Sequence, residues 1–296
     1  MNRIKEKIME YVFLLTAVVS ILAVALICVF LFANGIPAIK EIGVLEFLTG
    51  RKWKPGNNLY GIFPMILGSI YVTAGALVIG VPIGIFMAVF MARFCPKRLH
   101  RILKPVVDLL AGIPSIIYGF FGLVVLVPFV REHFKGDGNS ILTASILLGI
   151  MILPSIISVS ETSLRAVENQ YYEGALALGA THERSVFTVI VPAAKSGITA
   201  AVILGVGRAI GETMAVMMVV GNQARVPVSI YKGVRTLTTN IVLEMGYATD
   251  LHREALIATG VVLFVFILLI NVCFSILKRR GTRVLPVRVY PVFHCL

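Results

Sequence analysis

Charge is what this sequence has least of. Only 14% of its 296 residues are Asp, Glu, Lys or Arg, against roughly 25% in a soluble domain. The deficit is concentrated: no charged side chain occurs between Lys54 and Arg93, within Ile141–Ser160 or within Ala255–Leu277. Such runs exceed the ~18 apolar residues that cross a bilayer as a helix. With 58% hydrophobic residues and a mean hydropathy of +0.92, the chain reads as a polytopic membrane protein. A water-soluble enzyme is excluded, and so is a single-span receptor with a folded head.

Cysteine is scarce as well. The four thiols are scattered, Cys28 and Cys273 within apolar runs, Cys95 in a short basic stretch and Cys295 next to last. They form no CxxC pair and no Cys/His cluster with metal spacing, so they read as small apolar residues. Cys295 is not four residues from the end, which excludes a prenylation box. The five histidines, at 100, 133, 182, 252 and 294, avoid the apolar runs and show no HExxH spacing. They read as surface residues, with no metal site. No serine–histidine arrangement falls at membrane depth, which argues against an intramembrane protease. Acidic residues are outnumbered by basic ones, 15 to 27, but no aromatic–basic interleaving accompanies the excess. Membrane orientation rather than nucleic acid explains it.

What is present is a series of six apolar spans, Tyr11–Ala33, Ile66–Ala92, Pro105–Val130, Ile141–Ser160, Ser196–Gln223 and Ala255–Leu277. They predict an all-α bundle of six transmembrane helices forming a single membrane domain over 1–296. An open sheet cannot hide its edges in lipid, and nothing alternates with a barrel's period. The first span follows Arg3, Lys5 and Lys7 but is longer than the ~7–15 residues of a signal-peptide core, and no A-x-A site follows, so it is expected to stay as a helix. With the N-terminus inside, sixteen Lys and Arg fall on inner segments and ten on outer ones, five of the sixteen between Arg93 and Lys104. Both termini are therefore expected on the cytoplasmic side. Pro114 lies inside span three and predicts a kink or break there, with Ser115 and Tyr118 beside a possible cavity.

The longest inner connection is Glu161–Lys195. Helix-forming residues run from Ser163 to Leu178, Gly179 stops that helix, and a second short helix from about His182 to Ile190 is expected to end at Pro192. The spacing Glu173-Gly174-Ala175, Gly179, Val189, Val191, Pro192 resembles the EAA loop of ABC-importer permeases, E-A-A-x3-G-x9-I-x-L-P. Gly174, Val189 and Val191 depart from it, each by a small or apolar replacement. The resemblance implies a coupling hairpin that docks into a cytoplasmic ATPase subunit. The alternative is an ordinary amphipathic hairpin at the membrane surface.

Span five contains Arg208 and Glu212 near its middle. In an unbroken helix the i, i+4 spacing puts both on one face. A charge at the bilayer centre costs roughly 2.5–3.5 kcal/mol on insertion scales, so an ionisable residue there is a functional candidate by default. A guanidinium fork matches oxyanion geometry and stays charged at any working pH. A neighbouring carboxylate would keep anion binding weak enough for release, and Thr213 lies next to it. A buried helix-stabilising ion pair is the competing reading, and Gly207-x-x-x-Gly211 suits either.

The stretch Gly205-Val206-Gly207-Arg208-Ala209-Ile210-Gly211-Glu212-Thr213-Met214-Ala215-Val216, followed by Gly221-Asn222, is similar to the matching helix of the phosphate importer permeases of the PstC type. So are Leu109-Leu110-Ala111-Gly112-Ile113-Pro114-Ser115-Ile116-Ile117-Tyr118-Gly119 and Asn58-Leu59-Tyr60-Gly61. The resemblance covers roughly 40–278. It implies a non-enzymatic permease subunit working with a second permease subunit of the PstA type, an ATPase dimer of the PstB type and an external phosphate-binding protein of the PstS type. ATP and Mg would then sit on the ATPase chain, since this one has no G-x4-GK[ST] loop. Two rival readings remain at this point: a permease for another oxyanion such as molybdate, sulfate or phosphonate, and a secondary anion transporter, for which an internal repeat would be expected.

Overall fold

A computed structural model describes residues 2–134 and 136–281. Arg283, Arg288, His294 and Cys295, on which the sequence reading drew, lie outside them.

The first apolar run belongs to α1 (Asn2–Ile42), longer than the expected span. A short helix α2 (Val44–Thr49) and a two-stranded antiparallel hairpin, β1 (Trp53–Lys54) and β2 (Leu59–Tyr60), lead into α3 (Phe63–Val89). Next come α4 (Lys97–Gly112), α5 (Ser115–Phe121), α6 (Val127–His133) and α7 (Ile141–Arg165). The connection after α7 folds as α8 (Asn169–Ala177), α9 (His182–Ser185) and α10 (Val191–Ala193). The chain then runs through α11 (Lys195–Gly211), α12 (Met214–Val219), α13 (Leu237–Met245) and α14 (Asp250–Gly281). Among the described residues five helical stretches are long and apolar enough to span a membrane, or six if the pair His182–Ala193 and Lys195–Gly211, bent by 68°, is counted as one span.

Helix α7 is the centre of the bundle. Its Leu147, Leu148, Met151, Ile152 and Ile156 are at most 1% exposed, in one cluster with Val72 and Ala76 of α3 and Val216 and Val219 of α12. Lipid tails are as apolar as these side chains, so close packing rather than escape from water has to hold the helices together. Small residues make that possible. A methyl group on Gly80 would sit 2.8 Å from the carbonyl oxygen of Gly149 and from Ile152, and one on Gly84 would sit 2.8 Å from Ile156. The Ser145 hydroxyl adds a bond from α7 to the Val72 carbonyl of α3 at 3.2 Å. Helix α1 is tied in only near its far end, where Phe32 meets Phe264 of α14 edge-on at 5.8 Å. Tyr11, Leu15, Ile21, Leu26 and Val29 all face outward.

Three helices contain a widened turn with i→i+5 bonding, at Phe90–Phe94, Gly122–Leu126 and Val186–Ile190. Each is followed, after one intervening residue, by a proline: Pro96, Pro128 and Pro192. A proline has no N–H and its ring collides with the carbonyl four residues earlier. At the second and third sites widening the preceding turn moves that carbonyl aside, and Val127 and Val191 bond back five residues, to Gly122 and Val186. At the first the helix ends, since Cys95 before Pro96 is extended.

The structure corrects three expectations. Span three does not run unbroken from Pro105. Ile113 and Pro114 are extended (ψ 126° and 139°), so α4 stops at Gly112 and the apolar membrane helix starts at Ser115. A residue before proline avoids the helical region, and Pro114 offers no N–H to continue the ladder. Span five is likewise two helices, because Glu212 is extended (ψ 128°) and Thr213 starts a new segment. The helix expected over Ser163–Leu178 is interrupted at 166–168, between α7 and α8. The second short helix does end beside Pro192, as expected: it runs from His182 through the widened turn to Ala193, and the 68° bend into α11 follows.

Candidate functional site

The two broken spans meet. Helices α5 and α12, each starting just after its break, lie so close that a methyl on Gly119 would be 2.9 Å from the Cα of Ala215 and 2.7 Å from the sulfur of Met218. The candidate residues Ser115, Tyr118, Arg208, Glu212 and Thr213 are therefore gathered around the two breaks, and α5–α12 packing holds them there.

Within this group the expected ion pair is absent. Arg208 on α11 donates from Nη1 to the Ser155 hydroxyl of α7 at 3.0 Å, and no carboxylate of the described residues lies within 4 Å of it. Gly211 is the last helical residue, so the chain turns before Glu212 and the i, i+4 relation no longer applies. The Glu212 carboxylate instead accepts from the Ala215 N–H at 3.1 Å, satisfying an orphan donor at the start of α12. Its backbone carbonyl accepts from Thr238 at 3.3 Å. The Thr213 hydroxyl donates to Gly211 O at 3.2 Å. Arg208 is thus a half-buried guanidinium held by one neutral hydroxyl.

Ser115 opens α5 and is half-buried. Tyr118 is buried, and its hydroxyl donates to the Leu110 carbonyl at 2.8 Å. Leu110 is the residue four before Pro114, so Tyr118 supplies the bond that the proline cannot. Its hydroxyl thereby bridges the break.

The second group of candidates is the 166–194 hairpin. Helix α8 ends in paired bonds from Gly179 N to Leu176 O (2.9 Å) and Ala180 N to Ala175 O (3.1 Å), with Gly179 at φ +83°. This is a Schellman closure, which needs a left-handed residue at that position. Glu173, Gly174 and Pro192 are exposed, Ala175 and Val191 half-buried. Leu178 is 91% exposed, with Tyr171, Leu176 and Phe187 also outward. Within the hairpin the Tyr172 hydroxyl meets His182 Nδ1 (2.8 Å), and the hairpin is tied to the bundle by His182 against the Phe94 ring (4.7 Å) and by Arg93 donating to the carbonyls of Leu164 (2.8 Å) and Val167.

Two buried carboxylates escaped the sequence reading. Glu161 at the end of α7 takes His100 of α4 at 2.6 Å and Arg165 at 2.9 Å, with Lys104 at 3.8 Å. It clamps α4 onto α7. At the opposite end of the bundle Glu244 of α13 accepts from Trp53 Nε1 (2.7 Å), His252 (2.8 Å) and Arg235, joining the β-hairpin, α13 and α14. Burial alone would raise the Glu244 pKa, but the bonds from Trp53, His252 and Arg235 outweigh it and hold the carboxyl below its ordinary value. His100, His182 and His252 are consequently hydrogen-bonded structural residues, not free surface ones. The i, i+4 pair Glu161/Arg165 was the only local signal for either clamp.

Residues 80–283 match the family model described as "Binding-protein-dependent transport system inner membrane component". The chain belongs to this family. It is 42% identical over 267 residues to a Bacillus subtilis protein named "Probable ABC transporter permease protein YqgH", covering 86% of both chains. It is 36% identical over 265 residues to a Mesorhizobium japonicum protein named "Phosphate transport system permease protein PstC", covering 82% and 81%. Among solved structures, a bacterial alginate ABC transporter aligns with TM-score 0.63 at 18% identity over 95% of this chain and 98% of that one. The MetNI methionine ABC transporter aligns at 0.57 with 22% identity over 78% and 100%. At such identities these two show the permease's fold alone. The permease is therefore an inner-membrane transport component with several membrane-spanning helices.

Proposed function

We propose that this permease moves inorganic phosphate as one membrane subunit of an ATP-driven importer, with Arg208 as the oxyanion-contacting residue. The observation that carries the reading is the state of Arg208: a permanently charged guanidinium, half-buried between the broken helices, with a serine and no carboxylate beside it. An uncompensated cation at that depth is costly unless an anion visits it. Glu212 caps α12 and so keeps α11 and α12 as separate pieces, Thr213 and Ser115 add hydroxyl donors, and Tyr118 maintains the break. The similarity to proteins named as phosphate permeases supports phosphate over other oxyanions.

The chain has no catalytic residue in this scheme. An ATPase dimer, holding ATP and Mg, docks on the hairpin through Leu178 and the neighbouring Glu173–Ala175, Gly179, Val191 and Pro192. ATP-driven closure shifts the hairpin and, through Phe94 and the Glu161 clamp, α4 and the breaks. A second permease subunit completes the pathway, and an external phosphate-binding protein delivers the cargo. Both termini and the hairpin lie in the cytoplasm, consistent with the density of basic residues between Arg93 and Lys104.

The test is ATP-dependent uptake in vesicles carrying the co-expressed complex. Phosphate uptake inhibited by arsenate but not by sulfate or molybdate, and abolished by Arg208→Gln in a complex that still assembles, is the expected result. Normal transport by that variant would remove Arg208 from the pathway. Equal competition by sulfate or molybdate would change the cargo.

A further inference from the structure

Helix α4 has three separate faces. At 100° per residue, Leu103 and Val107 point into the bundle, where Val107 packs with Met91 and Ile157, while His100 and Lys104 reach Glu161. A second face, Leu99, Ile102, Val106 and Leu109, is apolar and turned outward, with Ile102 64% and Leu109 72% exposed. The third face carries Lys97, Arg98 and Arg101, all exposed and none with a side-chain partner among the described residues. The apolar face continues into an open groove of about 680 Å³ lined by Pro105, Asp108, Leu109, Gly112, Ile113 and Pro114. Asp108 is the one charge there, and Lys104 stands 3.3 Å from it.

We propose that α4 is a binding site for an anionic phospholipid. The headgroup phosphate sits on Lys97, Arg98 and Arg101, and an acyl chain follows Ile102 and Val106 into the groove at the Pro114 break. Both halves of such a molecule are matched. Free inorganic phosphate would use the cations but leave the stripe and groove bare, and a zwitterionic lipid would use the stripe but gain nothing from three unpaired cations. The two parts are also correctly spaced, since Arg101 to Leu109 spans about 12 Å of helix. Basic residues at an amphipathic helix surface favour anionic lipid by about fivefold each. Because Glu161 fixes α4 to α7 and α4 leads directly into the break, the bound lipid steadies the inner edge of the translocation helices.

The test uses the whole importer complex in phosphatidylcholine nanodiscs doped with photoactivatable phosphatidylglycerol or, separately, phosphatidylcholine bearing the same chain. The readout is crosslinking to peptides spanning 97–114, which requires no transport and so is independent of the cargo. The wild type is expected to be labelled at least about fivefold more by the anionic probe. Replacing Lys97, Arg98 and Arg101 together by Gln should bring that ratio to about one with an unchanged thermal midpoint, while Leu109→Asp should lower labelling by both probes. Equal labelling of the wild type, or an unchanged preference in the triple variant, overturns the proposal. So does protection of 97–114 from both probes, which would make the face a protein contact, and so does loss of the preference on adding millimolar inorganic phosphate.

Discussion

The hydroxyl of Tyr118 donates to the carbonyl of Leu110, the acceptor that Pro114, four residues further on, has no N–H to reach. One side chain thus completes the backbone bonding of a helix break within the membrane, where an unpaired carbonyl finds no water. Tyr118→Phe should destabilise the complex by about 1–2 kcal/mol, read as a lower thermal midpoint in detergent. In a Pro114→Ala background the restored N–H can serve Leu110, and the same Tyr118→Phe change should then cost clearly less. Equal costs in the two backgrounds would dissociate Tyr118 from the break.

Arg208 and Glu212 make no contact with each other, so their substitutions should act separately. Arg208→Gln should abolish uptake with little effect on stability. Glu212→Ala should cost about 1 kcal/mol through loss of the α12 cap, whereas Glu212→Gln, which keeps an accepting oxygen, should retain most of that stability. A double-mutant cycle on thermal stability should give a coupling below about 0.5 kcal/mol. A larger value would indicate that the two pair directly.

Glu244 has a depressed pKa in the folded protein. A carboxyl with its folded pKa below its unfolded one stabilises the fold above the unfolded value, near 4.3 for an ordinary glutamate at about 25 °C. That stabilisation is lost as pH falls through the folded value. The thermal midpoint of the wild type should therefore drop more steeply below about pH 4.3 than that of Glu244→Gln. Parallel pH profiles would mean that Glu244 contributes no linkage.

Leu178 is the most exposed apolar side chain of the hairpin and touches nothing in this chain's core. Leu178→Asp should leave the permease folded and in the membrane but reduce ATPase co-purification and ATP-driven uptake several-fold. Gly179→Ala should act on the hairpin itself, costing about 1 kcal/mol through its left-handed conformation. Undiminished ATPase recovery with Leu178→Asp would place the contact elsewhere.

Much of this architecture was legible in local pattern. Uninterrupted apolar runs located α3, α7 and α14, Gly179 marked the hairpin turn, and Pro114 marked a break. The boundaries of span three were hidden because the apolar stripe of α4, Ile102 to Leu109, merges in hydropathy with the membrane helix after it. The Arg208–Glu212 relation was misjudged because i, i+4 geometry presumes a helix, and the chain leaves the helix at Gly211. The clamps were beyond local reading. Trp53 and Glu244 are 191 positions apart, His100 and Glu161 are 61 apart, and no periodicity links residues that only the fold brings together.

The widened turns before Pro128 and Pro192 each amount to one residue inserted into an α-helical ladder. One residue is about 100° of rotation, so everything beyond such a turn faces a direction that uninterrupted counting would assign to its neighbour. Removing a single residue from 122–126 should therefore convert the widened turn into an ordinary one and leave Val127 and Val130, both buried, facing the core, whereas a deletion in an ordinary turn of the same helix would rotate everything beyond it by about 100°. The spare residue accommodates Pro128 rather than membrane thickness. A one-residue deletion there should be tolerated better alongside Pro128→Ala than alone, because the proline ring would otherwise meet the carbonyl four residues earlier.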